Sequence, residues 1–110
     1  MTVGQLAEKM NMNVIAGANA LNKEIKGCYC CDLLSWVMAH AQPGNAWVTV
    51  QTHANVVAVA ILADISCIII PEAIAVDKDT IARADEHNIP ILGSSLSTYA
   101  IAGRLHDLGV

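Results

Sequence analysis

Phenylalanine is absent from this chain, and Trp and Tyr bring the aromatic share to only 4%. A core built on large aromatic plates is therefore excluded. Val, Ile, Leu and Ala must fill it, a composition that suits helices packed on parallel strands. Charge is also scarce, at 15% of residues against 55% apolar, yet so apolar a chain cannot be disordered or a polyelectrolyte. Basic charge is scarcest: six Lys and Arg face ten Asp and Glu, for a net charge of −4. No nucleic-acid partner is expected, because such a partner calls for a basic face. Long apolar runs are missing as well. The longest, Val56 to Ala63, falls short of the ~20 residues that span a bilayer core, so no membrane partner is expected. No apolar segment precedes a small-residue cleavage site near the N-terminus, so no secretory signal is visible. The expectation is one domain over residues 1–110, cytoplasmic in location.

Gly-rich phosphate loops are absent too. Gly4, Gly17 and Gly27 stand alone, and neither a Walker-type nor a dinucleotide pattern can be written, so a kinase acting alone is not expected. Cysteine is present but clustered: Cys28, Cys30 and Cys31 crowd together, with Cys67 distant. That is a poor disulfide framework, as fits reduced cytosolic thiols. The cluster also lacks the two-residue gap that turns two thiolates onto one ion, so no metal is expected. In an extended stretch Cys28 and Cys30 share one face and Cys31 points to the other. Small buried hydrophobes are the alternative role for these thiols.

What is present reads as alternating helices and strands. Thr2 and Gln5 form a capping-box pattern ahead of Leu6 and Met10, which opens a short helix. A strand is predicted over Asn13 to Ala16, a turn around Gly17 to Asn19, and a second extended stretch over Glu24 to Cys31. Asp32 is predicted to cap a helix reaching about Ala41. Its buried face is Leu33, Leu34, Val37, Met38 and Ala41, and Pro43-Gly44 stops it. Ala46 to Val50 follows as a buried strand. Asn55 is the predicted cap of a helix over Val56 to Ala63 that is apolar all round and so needs cover on more than one side. Ser66 to Ile70 reads as a central parallel strand ended by Pro71. Asp77 caps a helix ending near His87-Asn88, and Ile89 to Leu92 is the next strand. Ser97 caps the last helix, stapled by Leu96 and Ile101 and ended by Gly109. The fold class is therefore α/β, a layered domain with a mostly parallel sheet and β-α-β-α-β-α order in the C-terminal half.

In such a sheet the loops that follow strands gather at the carboxyl edge, where ligands bind. Two of them are unusually polar for this chain. Thr49, Gln51, Thr52, His53 and Asn55 fall within seven positions, and Ser94, Ser95, Ser97 and Thr98 lead into a helix N-terminus, where free N–H groups favour anions. We take Thr49, Gln51, Thr52, His53, Asn55, Ser94, Ser95 and Thr98 as candidate ligand contacts for a small anionic or nucleotide-like molecule. Helix capping would account for Asn55 and Ser97 but not for Gln51 and His53 together. His53 could act as an acid or base, whereas His40, His87 and His106 sit near helix C-termini and suit the dipole there. Ser35 and Ser94 have no motif around them that would activate a hydroxyl, so no catalytic residue is assigned. No cofactor is expected either.

Several segments together carry a family resemblance: Gly27-Cys28-Tyr29, Asp32-Leu33-Leu34-Ser35, Thr49-Val50-Gln51-Thr52-His53-Ala54-Asn55 with Ala58-Val59-Ala60, and Ile68-Ile69-Ile70. The chain resembles DRTGG-type domains over nearly its whole length, most specifically at Thr49 to Ala60. It is most similar to small stand-alone bacterial members related to the N-terminal domain of HPr kinase/phosphorylase. The resemblance implies a regulatory or ligand-binding α/β domain, with a protein partner in a hydrogenase-related redox setting. The family's Asp-Arg pair falls at Thr52-His53 and its Thr-Gly-Gly near Ile70-Pro71-Glu72, so neither signature is kept. The alternative is an interaction module acting through self-association. High mean hydropathy (+0.47) in a small domain leaves apolar surface to cover, and a homodimer is the expected means. Trp36 and Tyr29 lie in segments with one exposed side.

Overall fold

A computed structural model describes residues 1–110. Along the chain run α1 (Val3–Lys9), β1 (Asn13–Ala16), a short 3-10 turn (Ala18–Ala20), β2 (Gly27–Cys30), α2 (Leu34–His40), β3 (Asn45–Val48), α3 (Asn55–Leu62), β4 (Cys67–Ile70), α4 (Lys78–Glu86), β5 (Ile91–Gly93) and α5 (Thr98–Asp107). The five strands form one sheet in the order β1-β5-β4-β3-β2. β2 to β5 are parallel, and β1 lies antiparallel against β5. The mostly parallel α/β sheet expected from the sequence is therefore present, with β2 and α2 extending the repeating order by one unit.

The strands alternate their faces with period two. Ala46, Val48, Cys67, Ile69 and Leu92 pack with Val3, Leu6, Ile101 and Leu105, which places α1 and α5 on one face of the sheet. Trp47, Ile68, Ile70 and Ile91 pack with Val37, Val56, Val57, Val59, Ala60 and Ala84, so α2, α3 and α4 cover the other. Three layers result. All crossovers from β2 to β5 step in one direction across the sheet, which puts their helices on a common face. β1 and β2 occupy opposite edges. Their connection runs beneath the amino ends of the parallel strands, where Lys23 Nζ donates to Asn88 O, Ser66 Oγ to Glu24 O and Lys26 N to Gly44 O. Gly17 turns the chain into this connection with φ 71°, and a Cβ there would lie 2.3 Å from Ile89 O. Only glycine fits.

The helix ends follow one rule. α1, α3, α4 and α5 are followed by Asn11, Asp64, Asn88 and Gly109, all in the left-handed conformation. The next residues, Met12, Ile65, Ile89 and Val110, donate back to Ala7, Ala60, Ala84 and Leu105. These are Schellman closures, each with an apolar residue folded onto the core. At the helix starts, the Thr2–Gln5 capping box and the Ser97 cap are formed as expected.

Other expectations are corrected. Asp32 does not cap α2: Leu33 holds the cap position without a side-chain bond, because the Asp32 carboxylate is engaged across the sheet by Thr49 and Val50. Of the predicted buried face of α2, only Val37 is buried, while Leu33 and Met38 are 62% and 48% exposed. The helix lies over the edge of the sheet and meets it along one narrow stripe. Asn55 does not cap α3 but begins it, and its backbone N–H donates to His53 Nδ1. Asp77 holds the α4 cap position without a capping bond. α3 buries Val56, Val57, Val59 and Ala60 but leaves Ile61 and Leu62 exposed at 45% and 72%. The strands are also shorter than predicted, with β3 ending at Val48 and β5 starting at Ile91. No helix is long and apolar enough to cross a membrane.

Candidate functional site

The carboxyl edge of the parallel strands is organised by two clamps. At the first, Asp32, just beyond β2, accepts bonds on Oδ1 from Thr49 Oγ1 (2.9 Å) and from the Val50 N–H (2.9 Å). Its carbonyl accepts from Gln51 Nε2 at 3.1 Å. Thr49 Oγ1 in turn accepts from the Gln51 N–H at 3.2 Å. A single acidic residue thus fastens the loop after β2 to the loop after β3. The second clamp runs the other way across the edge. Thr80 Oγ1 donates to Thr52 O at 2.6 Å, and Thr52 Oγ1 donates to Asp77 Oδ1 at 3.4 Å. Buried Thr80 therefore fixes the loop after β3 against α4.

Between the starts of α3 and α4 lies an open cleft of about 450 Å³, lined by His53, Ala54, Asp77, Asp79, Thr80, Ala82 and Arg83. The His53 ring is oriented by accepting the Asn55 N–H on Nδ1 at 3.3 Å. In the neutral ring the proton then sits on Nε2, which is left as a donor. Arg83 supplies a fixed cation with five donors. The first turn of α4 opens on the same cleft with no side chain capping it, so its leading N–H groups carry the positive end of the helix dipole. Asp77 and Asp79 add acceptors. The lining thus sets the donors of Arg83 and His53 beside the acceptors of Asp77 and Asp79, which stand at the same helix start.

A second cleft of about 360 Å³ lies toward β1, lined by Asn11, Asn13, Ile15, Ala73, Ile74, Gly93, Ser94 and Ser95. The loop after β4 separates the two. In that loop Glu72 and Ala73 are successive left-handed residues, with φ 58° and 54°, and their N–H groups donate to Leu96 O and Ser94 O. Glycine tolerates such a conformation best. Glu72 falls at, and Ala73 beside, the position to which the resemblance assigns the family's Gly-Gly.

The candidate contacts therefore divide. Thr49 and Gln51 are held in the Asp32 clamp and Thr52 in the Thr80 clamp, while His53 faces the first cleft. Asn55 is exposed at the start of α3 and lines neither cleft. Ser94, buried, accepts from the Leu96 N–H at 3.1 Å, and with exposed Ser95 it lines the second cleft. Thr98 begins α5 and lines neither. The two polar loops share the sheet edge but not one pocket. Sequence reasoning missed Thr80, Arg83 and Asp79. Their spacing, i,i+3 for Thr80 and Arg83 and i,i+4 for Asp79 and Arg83, does bring Arg83 in the last turn beside both residues near the start of α4. No group of three or more His, Cys, Asp or Glu side chains is gathered to hold a metal ion.

The family model of the DRTGG domain matches residues 5–108. No curated protein matches the chain. Among solved structures, the fold is similar to that of the CBS and DRTGG domains of the regulatory region of Clostridium perfringens pyrophosphatase, crystallised with its activator diadenosine tetraphosphate. The TM-score is 0.73 at 14% identity, over 94% of this chain and 45% of that one. The chain thus spans less than half the length of that structure, and at this identity the likeness is one of fold.

Proposed function

We propose, from the premise that this chain belongs to the DRTGG domain family, that it is a regulatory domain binding a small anionic, nucleotide-like ligand at the carboxyl edge of its sheet. One observation carries this reading: His53, Thr80, Arg83 and the uncapped start of α4 converge on one cleft. Arg83 and the α4 N–H groups suit a phosphate. His53 Nε2 offers a further donor, and Asp77 and Asp79 suit the hydroxyls of a ribose. A nucleotide activator bound by the similar pyrophosphatase region supports the ligand class. Thr49 and Gln51 contribute indirectly, by holding the loop that presents His53. Asn55, Ser94, Ser95 and Thr98 would meet a ligand long enough to leave the cleft. On this reading the setting is cytoplasmic, and the output passes to a protein partner in redox metabolism.

Thermal melting with ATP or diadenosine tetraphosphate tests the proposal. A ligand at about one hundred times its Kd adds roughly 2.7 kcal/mol of stability, which raises Tm by roughly 10 °C or more in a domain of this size. Arg83→Ala and His53→Ala should remove most of that shift while leaving the ligand-free Tm in place. Equal shifts in wild type and variants, or none in wild type, would count against the cleft.

A second reading, self-association, is favoured by a separate observation. Leu33 and Trp36 on the α2 side and Ile61 and Leu62 on α3 are all exposed, and α2 and α3 are neighbours on one face of the sheet. The Trp36 ring stacks on His40 with centroids 4.0 Å apart, which stiffens an aromatic side chain of the kind enriched at interfaces. On this reading a homodimer forms through that face. Light scattering at micromolar concentration should give twice the 11.6 kDa chain mass, and Trp36→Ala with Leu62→Ser should return it to one chain. A wild-type mass of one chain at every concentration refutes self-association.

A further inference from the structure

β2 is an edge strand, paired only with β3. It carries Cys28 and Cys30 on one side and turns Cys31 to the other, where the Cys31 thiol rests against Leu33 O at 3.8 Å. The Cys28 and Cys30 sulfurs are 3.8 Å apart. Cys30 is exposed and Cys28 half-buried, while Cys67 on β4 is fully buried. Two thiols in contact, one of them open to solvent, form an arrangement that neither proposed function uses.

We infer that Cys28 and Cys30 form a reversible dithiol–disulfide pair, oxidised by low-molecular-weight disulfides such as glutathione disulfide. The chemistry balances in two exchanges. The Cys30 thiolate attacks one sulfur of glutathione disulfide, whose S–S bond breaks to release one glutathione thiolate. The Cys28 thiol then loses its proton to solvent and attacks the Cys30 sulfur of the mixed disulfide, expelling the second glutathione. Two electrons and two protons pass from the protein thiols to give two glutathione molecules.

The local electrostatics favour this order of attack. The Cys28 hydrogen bond lowers the Cys30 thiol to about 7, against the opposing effects of burial and of Asp32. Cys28 is pushed upward by its bond to Cys30, by burial and by the Cys30 charge. When Cys30 becomes a neutral mixed disulfide, the first and third of these causes vanish, so Cys28 is released to act as the resolving thiol. The backbone makes the bond reversible. Residues i and i+2 of a strand have Cα atoms ~6.7 Å apart, near the upper limit of ~6.8 Å for a disulfide, so closure puckers β2 at Tyr29. An edge strand has no outer ladder to resist this, and a strained disulfide is readily reduced. The pucker also lies three residues before Asp32, which fastens the loop after β3.

The test uses the whole chain carrying Cys31→Ser, treated with excess glutathione disulfide, alkylated and cut with chymotrypsin after Tyr29, between the two thiols. The expected product has two fewer free thiols and no bound glutathione, and its fragments on either side of Tyr29 stay joined until dithiothreitol is added. Adding Cys28→Ser should stop the reaction at a Cys30–glutathione adduct, and adding Cys30→Ser should abolish it. At neutral pH the Cys30 reaction should run roughly fivefold faster than in the urea-unfolded chain, since thiolate fraction outweighs the lower nucleophilicity. A stable glutathione adduct on the Cys31→Ser chain, a chain-to-chain disulfide, or unreacted thiols would each overturn the inference.

Discussion

Trp47→Ala is expected to lower the unfolding free energy by about 3–5 kcal/mol and Tm by roughly 15–25 °C. Trp47 lies on β3, flanked by β2 and β4, and is wholly buried against the helices on the α3 face. It is the largest fully buried side chain in a protein without phenylalanine. No neighbour of similar bulk can fill the space, and the surrounding β-branched residues have few rotamers with which to collapse into it. Its indole N–H also donates to Cys31 O at 2.8 Å, so truncation leaves that carbonyl without its partner at the turn from β2 into α2. Trp47→Phe restores most of the volume and loses chiefly the hydrogen bond, for about 1–2 kcal/mol. Urea unfolding followed by circular dichroism measures both, since fluorescence would report only on Trp36 in the variants. A loss within about 1 kcal/mol for Trp47→Ala would contradict this account of the core.

Asp32→Ala should cost about 2–3 kcal/mol, more than loss of a helix cap, because it removes one acceptor shared by two donors. The hydroxyl of Thr49, a residue 1% exposed, loses its acceptor, and the Val50 N–H is freed. Asp32→Asn keeps one carbonyl oxygen in place and should lose about half as much. The location of the damage distinguishes the clamp from a cap. Hydrogen exchange should rise at Val50 and Gln51, across the sheet, rather than in the first turn of α2. Faster exchange confined to Leu34 through Val37 would instead support the capping role that the sequence suggested.

Asp32 also illustrates what the sequence can and cannot show. An acidic residue ahead of an apolar helix matches a capping pattern, and nothing in its neighbours reveals that Thr49 and Val50 compete for the same carboxylate from the loop after β3. Long-range polar contacts leave no periodic trace. The apolar strands at Trp47 and at Cys67 to Ile70 are legible because burial on both faces imposes a continuous run. The closures at Asn11, Asp64 and Asn88 carry a sequence signal in the small polar residue followed by an apolar one, and the helix end near His87-Asn88 is legible from it. The antiparallel pairing of β1 with β5 could not be read, since four short residues carry no information on a partner so distant. At the candidate site His53 was legible as an anomalous polar residue. Arg83 was not, because on an amphipathic surface helix a cation is the ordinary solvent-facing choice.

The placement of β1 also constrains the order of folding. Each β-α unit from β2 onward can add to its predecessor as a local step, with short loops to close. β1 cannot join until β5 exists, and α1 packs on the same face as α5. Residues 1–16 are therefore among the last to find their partners, although they precede the other strands along the chain. Their contacts raise the contact order of an otherwise sequentially built sheet. The slow step should be the docking of α1 and β1 onto a preformed four-stranded layer, and until then Val3, Leu6 and Met10 remain open to solvent and to chaperones.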